Sequence, residues 1–506
     1  MPDISYELKS FIKIYGLEEE LDIYSFNNEL IPIDNDIITL NMPNAFRDIY
    51  MYNDKNILTV ISKVLCKLEL IYGLIQYKFI KGDNSKIVND LLETEESINL
   101  FNKKNYGIHS CIILERAVDF ISPFCRNYTY EGLLDEYFGI KWNNIKVKNS
   151  LLDKSSSKRD NKVSSKQEYS FFELSSNNIL YEKCRNMLLW QAAQYIQTCA
   201  SEIKNLKDKT KDETTNISAV AENLKKMKDA IKSDIPFLEK HIPLLEYISK
   251  DIKSPNNNQL KKYEQLLIVG DMSETLHEFY EDQIGKKLDL YQILRLMCLE
   301  SLTHNGIVDY NKIKKDILLF YGFEKIFIFH NLEKAGLLKE KGIIGNPLTN
   351  IDYSSLFFKM ELLNTDINFN DIKDCSYIYE GYCSISLKLI EKAVSGTWGK
   401  IADCLNKIPG FTKFPENASQ FLKDKKPDKN FVFVVFIGGV TYAEIEGIRF
   451  LNKTMNDTKI IIVTTHIISP KNLFDSSNKN AVNDNFTIKL FNETILKDEN
   501  KLRNKK

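Results

Sequence analysis

The chain has 506 residues and a formal net charge of −1, with 27% of its residues charged. That length allows roughly three or four domains, and balanced charge leaves no global basic field to gather nucleic acid or an anionic membrane. Nine scattered cysteines, an odd number without a C-x-x-C, point to reduced thiols in the cytosol and away from a disulfide frame or a zinc site.

The opening residues MPDISYELKS carry acids and no apolar core, so they do not read as a secretory signal. The apolar run near Phe431–Val440 falls far short of the ~20 residues a membrane-spanning helix needs, and a soluble protein is expected. Residues 1–44 hold one helical piece and short β runs at Leu30–Ile33 and Ile37–Leu40. Residues 45–100 read as helical, with Ile57, Val60, Ile61, Val64, Leu68 and Ile71 at helix spacing. A buried strand, Cys111–Leu114, leads into a charged loop, Glu115–Asp119, and a turn at Ser122–Pro123. Thr129 can cap a short helix through Phe138, which Gly139 stops.

The stretch 150–165 is rich in Ser, Lys and Asp and reads as a mobile surface loop. Residues 178–250 turn helical. Leu224, Met227, Ile231, Ile235, Leu238, Ile242, Leu245 and Ile248 repeat at three- and four-residue steps, close to a coiled-coil seam. Pro236 and Pro243 interrupt it, which predicts a bent helix or a hairpin. A polar break at Ser254–Asn258 precedes further helix over 272–338. Turn-rich chain at Gly342–Asn350, the segment Ser376–Ser386 and a Gly/Pro/Lys-rich stretch, Pro409–Lys429, follow.

The last third carries the clearest pattern. Phe431–Ile437 is a β-branched and aromatic run, as expected of a strand buried on both faces. Gly438–Gly439 ends it, Thr441 and Glu444 form a T-x-x-E capping box, and Ile445, Ile448 and Leu451 make an apolar stripe before a second β run, Ile460–Thr464. This βαβ unit invites a phosphate-binding reading, since a helix N-terminus can hold an anion. The spacing is neither G-x-G-x-x-G nor a P-loop, and Glu444 would place a carboxylate beside the phosphate. A structural turn is the better reading. Helical chain thus lies between two α/β pieces, each with too few strands for a sheet of its own.

Catalytic constellations are scarce. Glu115, Asp119, Asp135 and Glu136 would suit an acid/base pair or a metal cage, but Arg116 and Arg126 among them favour a salt-bridged loop. His277–Glu278 does not extend to H-E-x-x-H, and no G-x-S-x-G elbow is present. The reading is a binding protein with no catalytic, cofactor-binding or metal residues. The lysines 225, 226, 228, 232 and 240 are either a solvated helix face or the basic rim of a cradle for a partner helix, anchored by Phe237 and Leu238.

Several segments together resemble the Sec/Munc (SM) family of membrane-fusion regulators, and within it the class C vacuolar-sorting branch. Cys111–Ile140, CIILERAVDFISPFCRNYTYEGLLDEYFGI, looks like the family's signature strand, loop and helix. Leu294–Leu299, LRLMCL, and His330–Leu338, HNLEKAGLL, resemble the branch's helical segment, Tyr377–Ser386, YIYEGYCSIS, its aromatic turn, and Phe436–Leu451 its strand–GG–helix. Glu115–Arg116 stands where the family usually has Asp-Arg. Cys383–Ser384 replaces a usual Ala-Pro, which should loosen that turn.

The resemblance implies an arch: an α/β domain with a mainly parallel sheet, interrupted by a large all-α insertion, with most of the first domain missing. Residues 1–44 would be the remnant of domain one, 45–175 and 372–506 the two parts of domain two, and 176–371 the helical domain three. A hairpin at about 222–250 would grip SNARE proteins, syntaxin-like helices and assembled bundles alike, through Lys226, Lys228, Lys232, Phe237, Leu238 and His241. Tyr377, Tyr379, Tyr382 and Ile385 would dock a class C tethering-complex subunit similar to vacuolar protein sorting-associated protein sixteen. The resemblance also implies a cytoplasmic protein recruited through partners to endosome, vacuole or lysosome membranes, without inserting in them, within a HOPS/CORVET-like complex. The alternatives are a nucleotide-binding enzyme using Gly438–Gly439, and a structural scaffold without SNARE capture.

Overall fold

The apolar run at the end of the chain forms the middle of a seven-stranded sheet. The computed structural model describes residues 6–16, 21, 29–98, 106–152, 168–212, 234–270, 276–343, 351–364, 366–425, 430–455 and 457–478. Among these the strands are, in chain order, β1 (Ile31–Asp34), β2 (Ile37–Thr39), β3 (Leu74–Lys81), β4 (Tyr106–Glu115), β5 (Asn144–Lys148), β6 (Tyr169–Glu173), β7 (Thr412–Lys413), β8 (Asn430–Ile437) and β9 (Thr458–Thr464). The large sheet runs β1-β2-β9-β8-β4-β3-β7. Its five inner strands are parallel, and β1 and β7 close the two edges antiparallel.

The two α/β pieces therefore share one sheet. β4 pairs with β8 in a register that sets Cys111 beside Phe433 and Glu115 beside Ile437. Both strands are buried over nearly their whole length, which is why they read as unbroken apolar runs rather than alternating ones. β1 and β2 fall in the stretch 1–44 expected to be a remnant of another domain, yet β2 pairs with β9 and extends this sheet.

β3 was hidden inside the stretch expected to be helical. The helix Asn56–Tyr72 stops at Gly73, whose φ of 98° suits glycine, and β3 begins one residue later. The strand Cys111–Leu114 is longer than expected, running from Tyr106 to Glu115. Thr129 caps the helix Tyr130–Phe138 by accepting the N–H of Gly132, and Gly139 ends it with φ 72°.

Between the halves of the sheet lie the helices Leu189–Asp212, Asp234–Ile252, Pro255–Val269, His277–Gly285, Leu290–Thr303, Tyr310–Tyr321, Ile326–Lys334 and Tyr353–Lys359. Those from Pro255 onward share the large core that covers the sheet. The first two, with the ribbon β5–β6 and the helix Tyr130–Phe138, enclose a second, smaller core around Tyr130, Phe172, Tyr181 and Leu244. The helix Asp234–Ile252 runs unbroken through Pro243, and Pro236 sits in its first turn, where an N–H would lack a partner anyway. The expected polar break at Ser254–Asn258 is a cap: Ser254 accepts the N–H of Asn257 ahead of Pro255, and the next helix starts there. The segment 153–167, most of the loop expected to be mobile, lies outside the described residues.

Candidate functional site

Gly438 and Gly439 have φ of 93° and 106°. A Cβ on Gly438 would come within 2.9 Å of the Tyr50 ring, and one on Gly439 within 2.4 Å of Ile468, so packing as well as φ demands glycine. Beyond them Glu444 accepts the N–H of Thr441 at 2.9 Å while the Thr441 hydroxyl accepts the N–H of Glu444, completing the capping box. Arg116 donates to both oxygens of Glu444, at 2.7 and 2.8 Å. Burial opposes the charge on Glu444, but Arg116, Ser386 and Thr441 outweigh it and hold the carboxyl below its usual range. The helix N-terminus thus already faces a carboxylate of its own chain, itself neutralised by Arg116. That arrangement fixes the turn and already uses the N–H groups of Thr441 and Glu444 that an anion would need.

The other acids near the carboxyl ends of the strands are equally committed. Glu115 accepts the backbone N–H groups of Asp83 and Asn84, capping the helix Asp83–Ile98. Asp119 accepts from the Ser122 hydroxyl at 2.6 Å and from the N–H of Ser386. Glu136 receives Arg126 at 2.7 Å and Arg295 at 3.2 Å, tying two helices to the signature loop. Asp135 accepts the N–H of Ile140, and burial pushes its carboxyl up to about 7. Hydrogen bonds and ion pairs within the chain engage each of the four.

A second network had no local signal. Arg449, on the helix Tyr442–Thr454, reaches Asp36 at 2.8 Å, Asp34 at 3.1 Å and Glu131 at 2.5 Å. Arg185 adds Asp34 at 2.7 Å and Glu182 at 3.0 Å. Four segments meet at these two guanidinium groups, so the base of the helical region is locked to the edge of the sheet.

Of the residues expected to hold SNARE proteins, Lys226, Lys228 and Lys232 lie outside the described residues. Phe237, Leu238 and His241 are buried in the smaller core. His241 Nδ1 hydrogen-bonds the Tyr130 hydroxyl at 2.6 Å, and the Phe237 ring stacks on it at 4.0 Å. Burial pushes His241 down to about 3, so it is neutral at physiological pH. The expectation of apolar anchors here is corrected: the seam faces the chain's own second core. The same helix exposes Glu239, Lys240, Glu246, Tyr247 and Lys250.

Tyr377, Tyr379, Tyr382 and Ile385 were read as an exposed dock and are all buried. Tyr379 donates to the Ser122 carbonyl at 3.3 Å, Tyr377 packs on Phe450, and Tyr382 packs on Phe357. They clasp the signature loop to the helix Tyr442–Thr454 and present no free ring face. Nor does Cys383–Ser384 loosen the turn: Ser384 caps the helix Ile385–Val394 by accepting the N–H of Leu387. The sequence reading missed a groove of about 610 Å³ beside this turn, which joins Trp190, Phe369 and Phe450 from three distant segments.

The sequence profile described as the Sec1 family matches residues 4–476. The vacuolar protein-sorting-associated protein 33 homolog of Arabidopsis thaliana is 29% identical over 486 residues, covering 92% of this chain and 77% of the relative. The vacuolar protein sorting-associated protein 33A of Rattus norvegicus is 29% identical over 464 residues, covering 88% and 74%. Among solved structures, the Unc18–syntaxin 1 complex from Monosiga brevicollis superposes with a TM-score of 0.62 at 14% identity, covering 94% of this chain and 81% of that one. The SM protein Vps45 in complex with the Qa SNARE Tlg2 gives 0.60 at 13% identity, covering 89% and 75%. These likenesses carry the fold, and the profile carries the family: the chain belongs to the Sec1 family, the SM proteins.

Proposed function

We propose that this SM protein regulates SNARE-mediated vesicle docking and fusion in the vacuolar and endolysosomal pathway as a non-catalytic template. SNARE helices held side by side lose less entropy when they zipper. The observation that carries the reading is the helix pair Leu189–Asp212 and Asp234–Ile252. Its apolar seam is closed by the second core, and that core is fastened to the sheet by Arg185 and Arg449. A SNARE helix would then meet a rigid, mixed-charge face, on which Glu246, Tyr247 and Lys250 stand exposed. The relatives' names support the vacuolar assignment and, with it, the reading that this chain serves in a class C tethering complex. Among the described residues no helix is long and apolar enough to cross a membrane, which fits recruitment through partners.

The test is a pull-down with a recombinant syntaxin-like SNARE and with a pre-assembled bundle. Charge reversal of Lys226, Lys228 and Lys232 together is expected to weaken capture about tenfold while leaving the urea midpoint unchanged. Capture at wild-type strength would remove these three lysines from the docking surface.

A further inference from the structure

The groove beside the aromatic turn is built from chain segments far apart in sequence. Trp190 and Gln191 come from the helix Leu189–Asp212, Phe369 and Asn370 from the segment before the turn, and Phe450 and Lys453 from the helix Tyr442–Thr454. Gln191 Nε2 donates to the Phe369 carbonyl at 3.0 Å, which holds the second wall against the first. The Trp190 and Phe369 rings meet edge to face at 6.4 Å, and Trp190 remains 49% exposed. Its volume of about 610 Å³ falls within the range of recognition pockets.

Three features identify what fits there. The floor is aromatic, so one large apolar side chain of a ligand would be covered on several sides. The side chains of Gln194 and Asn370 stand exposed at the groove, and the Asn186 side-chain oxygen in its wall is enclosed without a hydrogen-bond partner. Amides of this kind suit the alternating donors and acceptors of a peptide backbone. Both charged residues of the lining are lysines, Lys183 and Lys453, and neither has an ion-pair partner among the described residues. A cationic rim around an aromatic floor complements an acidic partner.

We propose that this groove binds a short acidic segment of a partner protein, with one aromatic side chain seated among Trp190, Phe369 and Phe450 and carboxylates at Lys183 and Lys453. The groove shares the helix Leu189–Asp212 with the SNARE-binding reading but none of the residues Glu246, Tyr247 and Lys250 on the face offered to SNAREs, so the inference stands or falls without that reading. Because its walls come from the helical insertion and from the second half of the sheet, an occupant bridges the two.

The experiment titrates the full chain into a fluorescein-labelled peptide with a central Phe flanked on both sides by Asp and Glu, read by anisotropy. Saturable binding is expected. It should weaken roughly tenfold in the surface double variant K183E/K453E and in Trp190→Ala, and by a similar factor for the peptide carrying Ala in place of Phe. An unchanged urea midpoint for K183E/K453E shows that folding is intact. No saturable signal from the wild type, or equal binding by K183E/K453E, overturns the proposal. Lysine-dependent binding to anionic phospholipid vesicles with none to the peptide would also overturn it and assign the rim to a membrane.

Discussion

Glu446 shows how a buried side chain in this protein is kept neutral. It is fully enclosed, accepts from Asn127 at 2.9 Å and from the Thr129 hydroxyl, and makes no ion pair among the described residues. Burial pushes its carboxyl up to about 8, with the Glu131 charge adding to the effect. The folded chain therefore keeps a proton that the unfolded chain loses near the ordinary glutamate value of about 4.3. Its stabilising share is complete at low pH and disappears as the pH rises through 8, at up to about 1.4 kcal/mol per pH unit. The stability of the wild type relative to Glu446→Gln should fall between pH 5 and pH 8 in urea titrations, the difference cancelling groups common to both. A pH-independent difference would show that the carboxyl is charged throughout. Glu444, two residues earlier, was legible as a cap from T-x-x-E, but its partner Arg116 lies 328 residues away and left no trace in the local pattern.

At the scale of elements, the helix Tyr442–Thr454 carries a glycine in its interior. An exposed helix would gain about 1 kcal/mol from alanine there. At Gly447, however, a Cβ would lie 2.2 Å from Leu387 Cδ1, and Leu387 is itself buried on the Ile385–Val394 helix. Gly447→Ala is expected to lower stability by about 1–3 kcal/mol, the usual cost of overpacking a core, and a raised thermal midpoint would refute that close approach. Apolar runs and caps made β4, β8, β9 and the two capped helices readable. β3 was lost because its alternating sequence continues the apolar rhythm of the helix before it, and only Gly73 marks the change. The two prolines differ in kind: Pro236 sits in the first turn, where it costs no hydrogen bond, and only Pro243 lies inside the helix Asp234–Ile252. The tyrosine turn failed for another physical reason. Exposure of an aromatic residue is set by what packs over it from elsewhere, and here that cover comes from the signature loop and Phe450.

For the whole molecule, the consequence of interleaved strands is mechanical unity. β3 and β4 precede the helical insertion, β8 and β9 follow it, and every inner pairing except β3–β4 and β8–β9 crosses that divide. That the two pieces share a sheet was legible because neither supplied enough strands. Their register was not, since it depends on long-range pairing. A protease site placed between Asp212 and Asp234 should therefore yield two halves that co-elute in size exclusion and unfold in one urea transition. Separation of the halves without denaturant would contradict the shared core.

The sheet's borders constrain how this protein meets others. β7 is two residues long, and β1 is four, with Pro32 in place of one donor and an irregular step beside it. Neither offers the long ladder of free amides that an incoming strand needs. At these two borders an incoming strand, from a partner or from a second copy, finds little to pair with. There recognition falls to side chains mounted on helices and loops, where single substitutions can retune one association without disturbing the rest.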